Sequence, residues 1–312
     1  MKVFVTGATG VIGRRAVARL VDAGHEVTGV ARSSAKADQV RALGATPSTI
    51  DLLDAGAVCA AVSGHDVVCH LATHIPSMAK MALPGAWSDN DQLRRDVSRL
   101  LVDAALADEV GRYIGESLAF TYADGGSRWL DEDSPLDLTP ITATTADAEA
   151  AAALMTAAGR TGVVLRFGQH YGPDAMHTLD MVRAARHRLA PSIGKADAYQ
   201  ATIHLDDAAA AVVAALDAPA GVYNVVDDEP LQRREWDDAL AAALEIDHLR
   251  SAGPVLARLG GRRTSALARS QRVSNRRLRE ATGWAPTYPS VREGWPTVVS
   301  EIDRSHQGPG HE

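Results

Sequence analysis

At 312 residues, 46 % hydrophobic and 23 % charged, the chain has the balance of an ordinary globular protein with a sizeable core. A formal net charge of −7 argues against a nucleic-acid partner, and two cysteines, Cys59 and Cys69, argue against a secreted disulfide scaffold. No charged and then apolar leader precedes "KVFVTG", and the longest apolar run, Ala208 to Leu216, is far too short to cross a bilayer, so a cytoplasmic protein with no membrane contact is expected.

In chain order, short β-branched runs alternate with helical patterns. "KVFVTG" reads as a strand and "VIGRRAVARLVDAGH" as a helix with apolar residues at helical spacing, closed by Gly24. "EVTGVAR" is a second strand and "KADQVRALGA" a second helix; "TPSTID", "AGAVCAAVSG" and "DVVCHLA" continue as strand, helix, strand. This repetition predicts an α/β fold, a Rossmann-type doubly wound parallel sheet. Residues 75 to 90, with two prolines, a glycine and Trp87, predict a loop near the carboxyl ends of the strands. "QLRRDVSRLLVDAALA" is a long helix, "RYIGES" a fifth strand, and residues 123 to 140 a polar surface loop. Residues 143 to 159 follow as an alanine-rich helix and "GVVLRFG" as a sixth strand. "TIHLDDAAAAVVAALDAPAG" reads as a strand end and a buried helix, and "VYNVVDDEPL" as another strand.

"TGATGVIG" sets Gly7, Gly10 and Gly13 at G-x-x-G-x-x-G spacing, directly after a strand and opening a helix. Such a loop turns tightly, lets backbone approach a pyrophosphate and aims a helix N-terminus at its charge, with Thr9, Val11 and Ile12 in the same turn. An acidic residue at the end of the second strand would hold the ribose 2′-hydroxyl of NAD. "VARSS" puts Arg32 and Ser33 there instead, with Lys36 behind, which predicts NADP(H); a solvated surface arginine is the competing reading. Residues 1–168, completed by 200–226, are assigned to a dinucleotide-binding domain, and residues 169–199 and 227–312 to a smaller, interleaved substrate-binding lobe.

These residues resemble the extended short-chain dehydrogenase/reductase superfamily, in its NAD-dependent epimerase/dehydratase branch. "TGATGVIG" matches its phosphate loop. "DLLD" matches its segment after the third strand, which implies that Asp51 bonds the adenine and Leu52 covers it. "HLAT" resembles its H-L-A-A, which implies that Leu71, Ala72 and Thr73 line the cofactor. "VVLRFGQHYGP", "IHLDDAAAAVVAAL", "YNVVDDEPL" and "SNRRLREATGWAPTYPSVREGW" follow in the family's order. The family typically works with a Ser or Thr after the fifth strand and Y-x-x-x-K on the next helix, the tyrosine serving as acid/base. With Glu149 as anchor, the lysine position falls at Thr145 or Ala146 and the tyrosine position at Ile141 or Thr142; no tyrosine or lysine lies between residues 123 and 170. Aligned on Tyr122, the serine position falls at Leu118, with Ser117 one place earlier. The chain therefore resembles atypical members without the active-site tyrosine, tyrosine-less polyketide ketoreductases among them.

What remains for chemistry is Ser117 and Tyr122 as catalytic hydrogen-bond donors, or a substrate that brings its own proton, such as a phenol beside a ketone. His74, Trp87 and His170 are candidate substrate contacts, with plainer readings as loop caps or packed residues. His65 and His70 have no partners at metal-ligand spacing, and no metal is expected. The arginines from Arg262 to Arg279 read either as a solvated helix face or as recognition of an anionic substrate. The expected activity is NADPH-dependent ketoreduction of a bulky small-molecule carbonyl, with phenolic aromatic polyketides of specialised metabolism, as in antibiotic biosynthesis, as the suggested class. A nucleotide-sugar epimerase or dehydratase, and a non-enzymatic NADP-binding sensor or scaffold, are the alternatives.

Overall fold

Short runs of valine and isoleucine, covered on both faces, form the central sheet, as parallel strands between two helix layers require. In the computed structural model, which describes residues 1–76, 83, 85–251, 261 and 265–306, the sheet has seven strands. They are β1 (Lys2–Thr6), β2 (Glu26–Val30), β3 (Thr46–Ser48), β4 (Val67–His70), β5 (Arg112–Leu118), β6 (Thr161–Phe167) and β7 (Gly221–Val225). Their order is β7-β6-β5-β4-β1-β2-β3, and every pairing is parallel. The doubly wound α/β fold expected from the sequence is the observed one. Its strand order reverses between β1 and β4, so the crevice outside the carboxyl ends of those strands is where such a sheet takes a ligand.

Alternate residues of each strand feed opposite faces. Val3, Val5, Ile114 and Leu165 pack under the helices Gly13–Asp22 and Leu205–Ala214, where Ala16, Ala208 and Ala211 let helix and sheet approach closely. Phe4, Val68 and Tyr113 pack on the other face against Val58, Leu101 and Met155 of the helices Ala55–Val62, Ser98–Ala107 and Thr145–Ala157. A third apolar cluster, with Tyr171, Met181, Trp236 and Trp295, joins the helices Met176–Arg186, Arg233–Ala243 and Val291–His306. Among the described residues no helix is long and apolar enough to cross a membrane.

Two departures from the expected elements bear on the site. The polar stretch at 123–140 is not all loop: Trp129–Leu130 forms a short strand that pairs in parallel with Arg272–Val273. The long helix expected from residue 92 starts at Ser88 and passes through a π turn at Leu93–Val97 before continuing as Ser98–Ala107. There the Leu93 carbonyl accepts the wider turn's own bond from Ser98 N–H, and also accepts from His70 Nε2 at 3.1 Å and from Ser98 Oγ at 3.4 Å.

Candidate functional site

The glycine turn after β1 is set by steric necessity. Gly7 has φ of 71°, and a Cβ there would stand 2.5 Å from the Leu71 carbonyl oxygen; a Cβ on Gly13 would collide with the carbonyl oxygen of Gly7. Gly10 N donates to Gly7 O at 2.8 Å, while the N–H groups of Val11, Ile12 and Gly13 have no acceptor among the described residues. Half-buried Thr9, Val11 and Ile12 complete a shallow cradle of free donors at a helix N-terminus, which fits the pyrophosphate of a dinucleotide. Leu71, Ala72 and Thr73 leave the end of β4 beside it, with Leu71 N bonded to Thr6 O at 3.2 Å. Asp51 and Leu52 follow β3; Asp51 Oδ1 accepts from Leu53 N at 3.0 Å. At the end of β2, Ser33 accepts from Lys36 N at 3.3 Å and so caps the next helix, while Arg32 is exposed and has no partner among the described residues. Arg15, in the first turn of the helix Gly13–Asp22, pairs with Asp174 at 3.1 Å and with Asp206 at 2.8 Å, and Arg14 also pairs with Asp174. These ties join the cradle to the later part of the chain.

Beyond the cradle, at the carboxyl ends of β5 and β6, polar side chains are used on one another. Ser117, fully buried, donates to Glu149 Oε1 at 2.6 Å. Glu149 also accepts from Arg166, from Nε at 2.8 Å and from Nη2 at 2.7 Å. Arg166 Nη1 donates to the Tyr122 hydroxyl at 2.9 Å, and that hydroxyl donates to Asn224 Oδ1 at 2.8 Å. Burial pushes the Tyr122 phenol up to about 12, against the pull of Arg166. Ser117 and Tyr122 were expected as donors to a substrate. Here both hydroxyls are enclosed and turned inward, because half-buried Glu149 and buried Asn224 supply the acceptors that a buried hydroxyl needs.

The positions read against the family's tyrosine and lysine carry no ionisable group. Ile141, Thr142 and Thr145 are buried, and Ala146 is exposed. Thr142 Oγ1 accepts from Thr139 N at 2.9 Å, and Thr145 Oγ1 donates to Thr142 O at 2.6 Å, so the threonines form a self-contained turn opening the helix Thr145–Ala157. Leu118, at the end of β5, is half-buried.

His70 bridges two elements. The Leu93 carbonyl can only accept, so Nε2 carries the proton and Nδ1 accepts from Thr6 Oγ1 at 2.6 Å. Burial lowers its pKa, which keeps it neutral. Among the described residues no group of three or more His, Cys, Asp or Glu is placed to hold a metal.

Two of the three expected substrate contacts share a wall. The backbone N–H of His74 donates to Asn90 Oδ1 at 3.0 Å, and half-buried Trp87 begins the helix Ser88–Gln92 that carries Asn90. His170 lies on a different element, the strand Gln169–Tyr171. Its ring meets His177 edge to face at 4.6 Å, and burial, helped by His177, pushes it down to about 3.

The arginine-rich segment is in part the solvated helix face of one of its two readings: Arg276, paired with Glu280 at 3.7 Å on its own helix, is exposed. Arg269 pairs with Asp137, Arg277 with Glu132 and Asp133, and Arg279 with Asp228 at 2.8 Å. Arg272 lies over Trp129 at 4.3 Å and over Tyr199 at 5.0 Å. These side chains tie neighbouring segments together, with Arg277 and Arg279 still partly open to solvent; Arg262 and Arg263 lie outside the described residues.

Sequence reasoning passed over one charged pair. Arg94, in the π turn, is 2 % exposed and holds Glu116 of β5 at 2.9 Å. The signal was available: Arg94 falls on the stripe of Val97, Leu101 and Ala105, which turns inward.

The model of the NAD dependent epimerase/dehydratase family matches residues 3–226. A 3-diazoavenalumate denitrifying reductase of a Streptomyces species is 34 % identical over 306 residues, covering 94 % of this chain and 99 % of that one. A 4-hydroxy-2-methyl-3-oxo-4-farnesyl-3,4-dihydroquinoline-1-oxide ketoreductase of Stigmatella aurantiaca is 28 % identical over 248 residues, 76 % of this chain and 71 % of that one. Among solved structures, the human epimerase family protein SDR39U1 with NADPH superposes with a TM-score of 0.80 at 23 % identity, over 96 % of this chain and 99 % of that one. A UDP-glucose 4-epimerase of Thermotoga maritima gives 0.80 at 19 % identity, over 98 % of this chain and all (100 %) of that one, which shows a shared fold.

Proposed function

The chain belongs to the NAD-dependent epimerase/dehydratase family, and we propose that it is an NADPH-dependent reductase of a small aromatic electrophile, an aromatic diazo compound ahead of a ketone. One observation carries the reading: an intact dinucleotide cradle stands beside a reaction centre with no side-chain acid at Leu118, Ile141, Thr142, Thr145 or Ala146. Relatives that span most of this chain are named as reductases, which favours an oxidoreductase over an epimerase or a scaffold. Exposed Arg32, with no carboxylate in "VARSS", favours the 2′-phosphate of NADP(H).

Bound in the cradle, the dinucleotide would supply a hydride. Whether the protein must also supply a proton depends on the acceptor. A carbonyl becomes an alkoxide, a strong base, and a positioned acid is typically worth about 10²–10⁴-fold in rate. Replacing an aromatic diazo group by hydrogen breaks the C–N bond and releases dinitrogen. An arenediazonium and a hydride balance to arene and dinitrogen with no proton, and a phenol on the ring emerges at most as a phenolate, which water protonates unaided. A centre without an acid suits that second reaction, and the relative matched nearly end to end is named for denitrifying a diazo compound. A ketone beside a phenol that lends its own proton is the second reading, favoured by the quinoline-oxide ketoreductase; it keeps phenolic polyketides as a substrate class.

The test is NADPH oxidation against an ortho-diazophenol, a 2-hydroxyaryl ketone and the ketone's methyl ether, with dinitrogen followed by mass spectrometry. Expected are dinitrogen in step with NADPH oxidised, a solvent deuterium isotope effect near unity, and Ser117→Ala and Tyr122→Phe rates far above the roughly 10²-fold loss that removal of a general acid brings. Oxidation confined to the ketones would move the conclusion to the ketoreductase. NADPH bound yet untouched by all three would leave the scaffold in its place.

A further inference from the structure

Two nitrogens of the Arg94 guanidinium serve Glu116, Nη2 at 2.9 Å and Nε at 3.4 Å. The third, Nη1, is buried and has no hydrogen-bond partner among the described residues. A charged donor shut away from water without an acceptor is costly, and native chains seldom keep one without a use for it. Its place is telling. Glu116 immediately precedes Ser117 near the carboxyl end of β5, and the carbonyl of Leu93, next to Arg94, holds His70, the last residue of β4. The cation therefore sits where β4 and β5 end, beside the reversal of strand order that locates the ligand crevice.

We infer that Arg94 Nη1 is the donor to the substrate oxygen: the phenolate oxygen conjugated with a diazo group, or the carbonyl oxygen of a ketone. This rests on the reductase reading. In both reactions electrons arriving at the acceptor raise the negative charge on that oxygen, and a fixed guanidinium stabilises it without giving up a proton. Glu116 is a positioning residue. It takes one edge of the fork and leaves a single nitrogen for the ligand. A centre with no acid thus still has a cation for the oxygen.

Arg94→Gln alone strands Glu116, so the Arg94→Gln/Glu116→Gln double variant is measured beside it, with Arg94→Lys to restore charge without the fork. The probe is 4-nitrophenol added to protein saturated with NADP⁺, its ionisation read from its absorbance. The wild type is expected to bind the phenolate in preference to the phenol. The double variant should bind it about 10–100-fold more weakly, as befits loss of one hydrogen bond to a charged group. Its NADP⁺ affinity should be unchanged, and its single-turnover hydride transfer slower by about 10²–10³-fold, with Arg94→Lys in between. Equal phenolate affinity in the double variant and the wild type, no phenolate binding by the wild type, or a loss of stability with binding and rate retained would each overturn the assignment. Failure of the reductase reading looks different: phenolate binding that depends on Arg94, with no NADPH oxidised by any substrate, would keep the anion site and remove the reaction.

Discussion

The two ends of the crevice treat their polar groups in opposite ways. At the ends of β1 and β2 the groups that would meet a ligand are left open: backbone N–H of Val11, Ile12 and Gly13, and the exposed Arg32. At the ends of β5 and β6 the side chains close on each other, Ser117 on Glu149, Glu149 on Arg166, Arg166 on Tyr122 and Tyr122 on Asn224. The first arrangement suits a ligand; the second holds a shape. A region of the second kind can support chemistry only through what it leaves over, and Arg94 Nη1 is a charged donor left over among the described residues.

Breaking the closed end should have the largest effect. Arg166→Met leaves the half-buried Glu149 carboxylate without its cation, and such a cut typically costs up to about 3–5 kcal/mol when the charge is fully buried. Urea denaturation would register that loss, and Arg166→Met/Glu149→Leu should recover much of it, because the stranded charge goes too. NADPH affinity of the protein that stays folded should be unchanged if the two ends are as separate as they look. A parallel fall in affinity would show that the network also shapes the cradle.

At the open end the effect should be smaller and confined to the ligand. Arg32→Asp exchanges the guanidinium for a carboxylate that suits a free ribose 2′-hydroxyl. The preference for NADPH over NADH should fall by about 10–100-fold, the worth of one charge-assisted hydrogen bond. Thermal stability should not change, since Arg32 is exposed and has no partner among the described residues. Titration of both nucleotides by fluorescence would decide it, and an unchanged ratio would make Arg32 a bystander.

The same contrast explains what could be read from the sequence. The cradle lies within one stretch of strand, turn and helix, and its steric demands at Gly7 and Gly13 follow from local geometry, so spacing alone located it. The doubly wound parallel sheet likewise follows from the alternation of strands and helices, while the order of its strands comes from the structure. The closed network draws on residues 117, 122, 149, 166 and 224, so nothing local says that Ser117 turns towards Glu149 and not towards the crevice. Glu149 was noticed only as an anchor for alignment. The ties of Arg269, Arg277 and Arg279 did not show in the sequence because their acidic partners, Asp137, Glu132 and Asp228, lie far off in the chain. Arg94 was legible as a charge on an apolar stripe, but its partner on β5 was not.

The mildest test uses acid. His170 has its pKa pushed by burial down to about 3 in the folded chain, below the usual value of 6.5 that it regains on unfolding. Between those values the unfolded chain binds a proton that the folded chain refuses, so stability present above pH 6.5 is lost as pH falls towards 3. His204, lowered by burial to about 4, acts in the same direction, as do His70 and His177. His170→Gln should therefore flatten the fall of unfolding free energy below pH 6 by up to one proton, about 1.4 kcal/mol per pH unit. Urea midpoints of the wild type and the variant at pH 7, 6 and 5 would measure the difference. Equal slopes would mean that His170 takes its proton in place, against its neighbour His177.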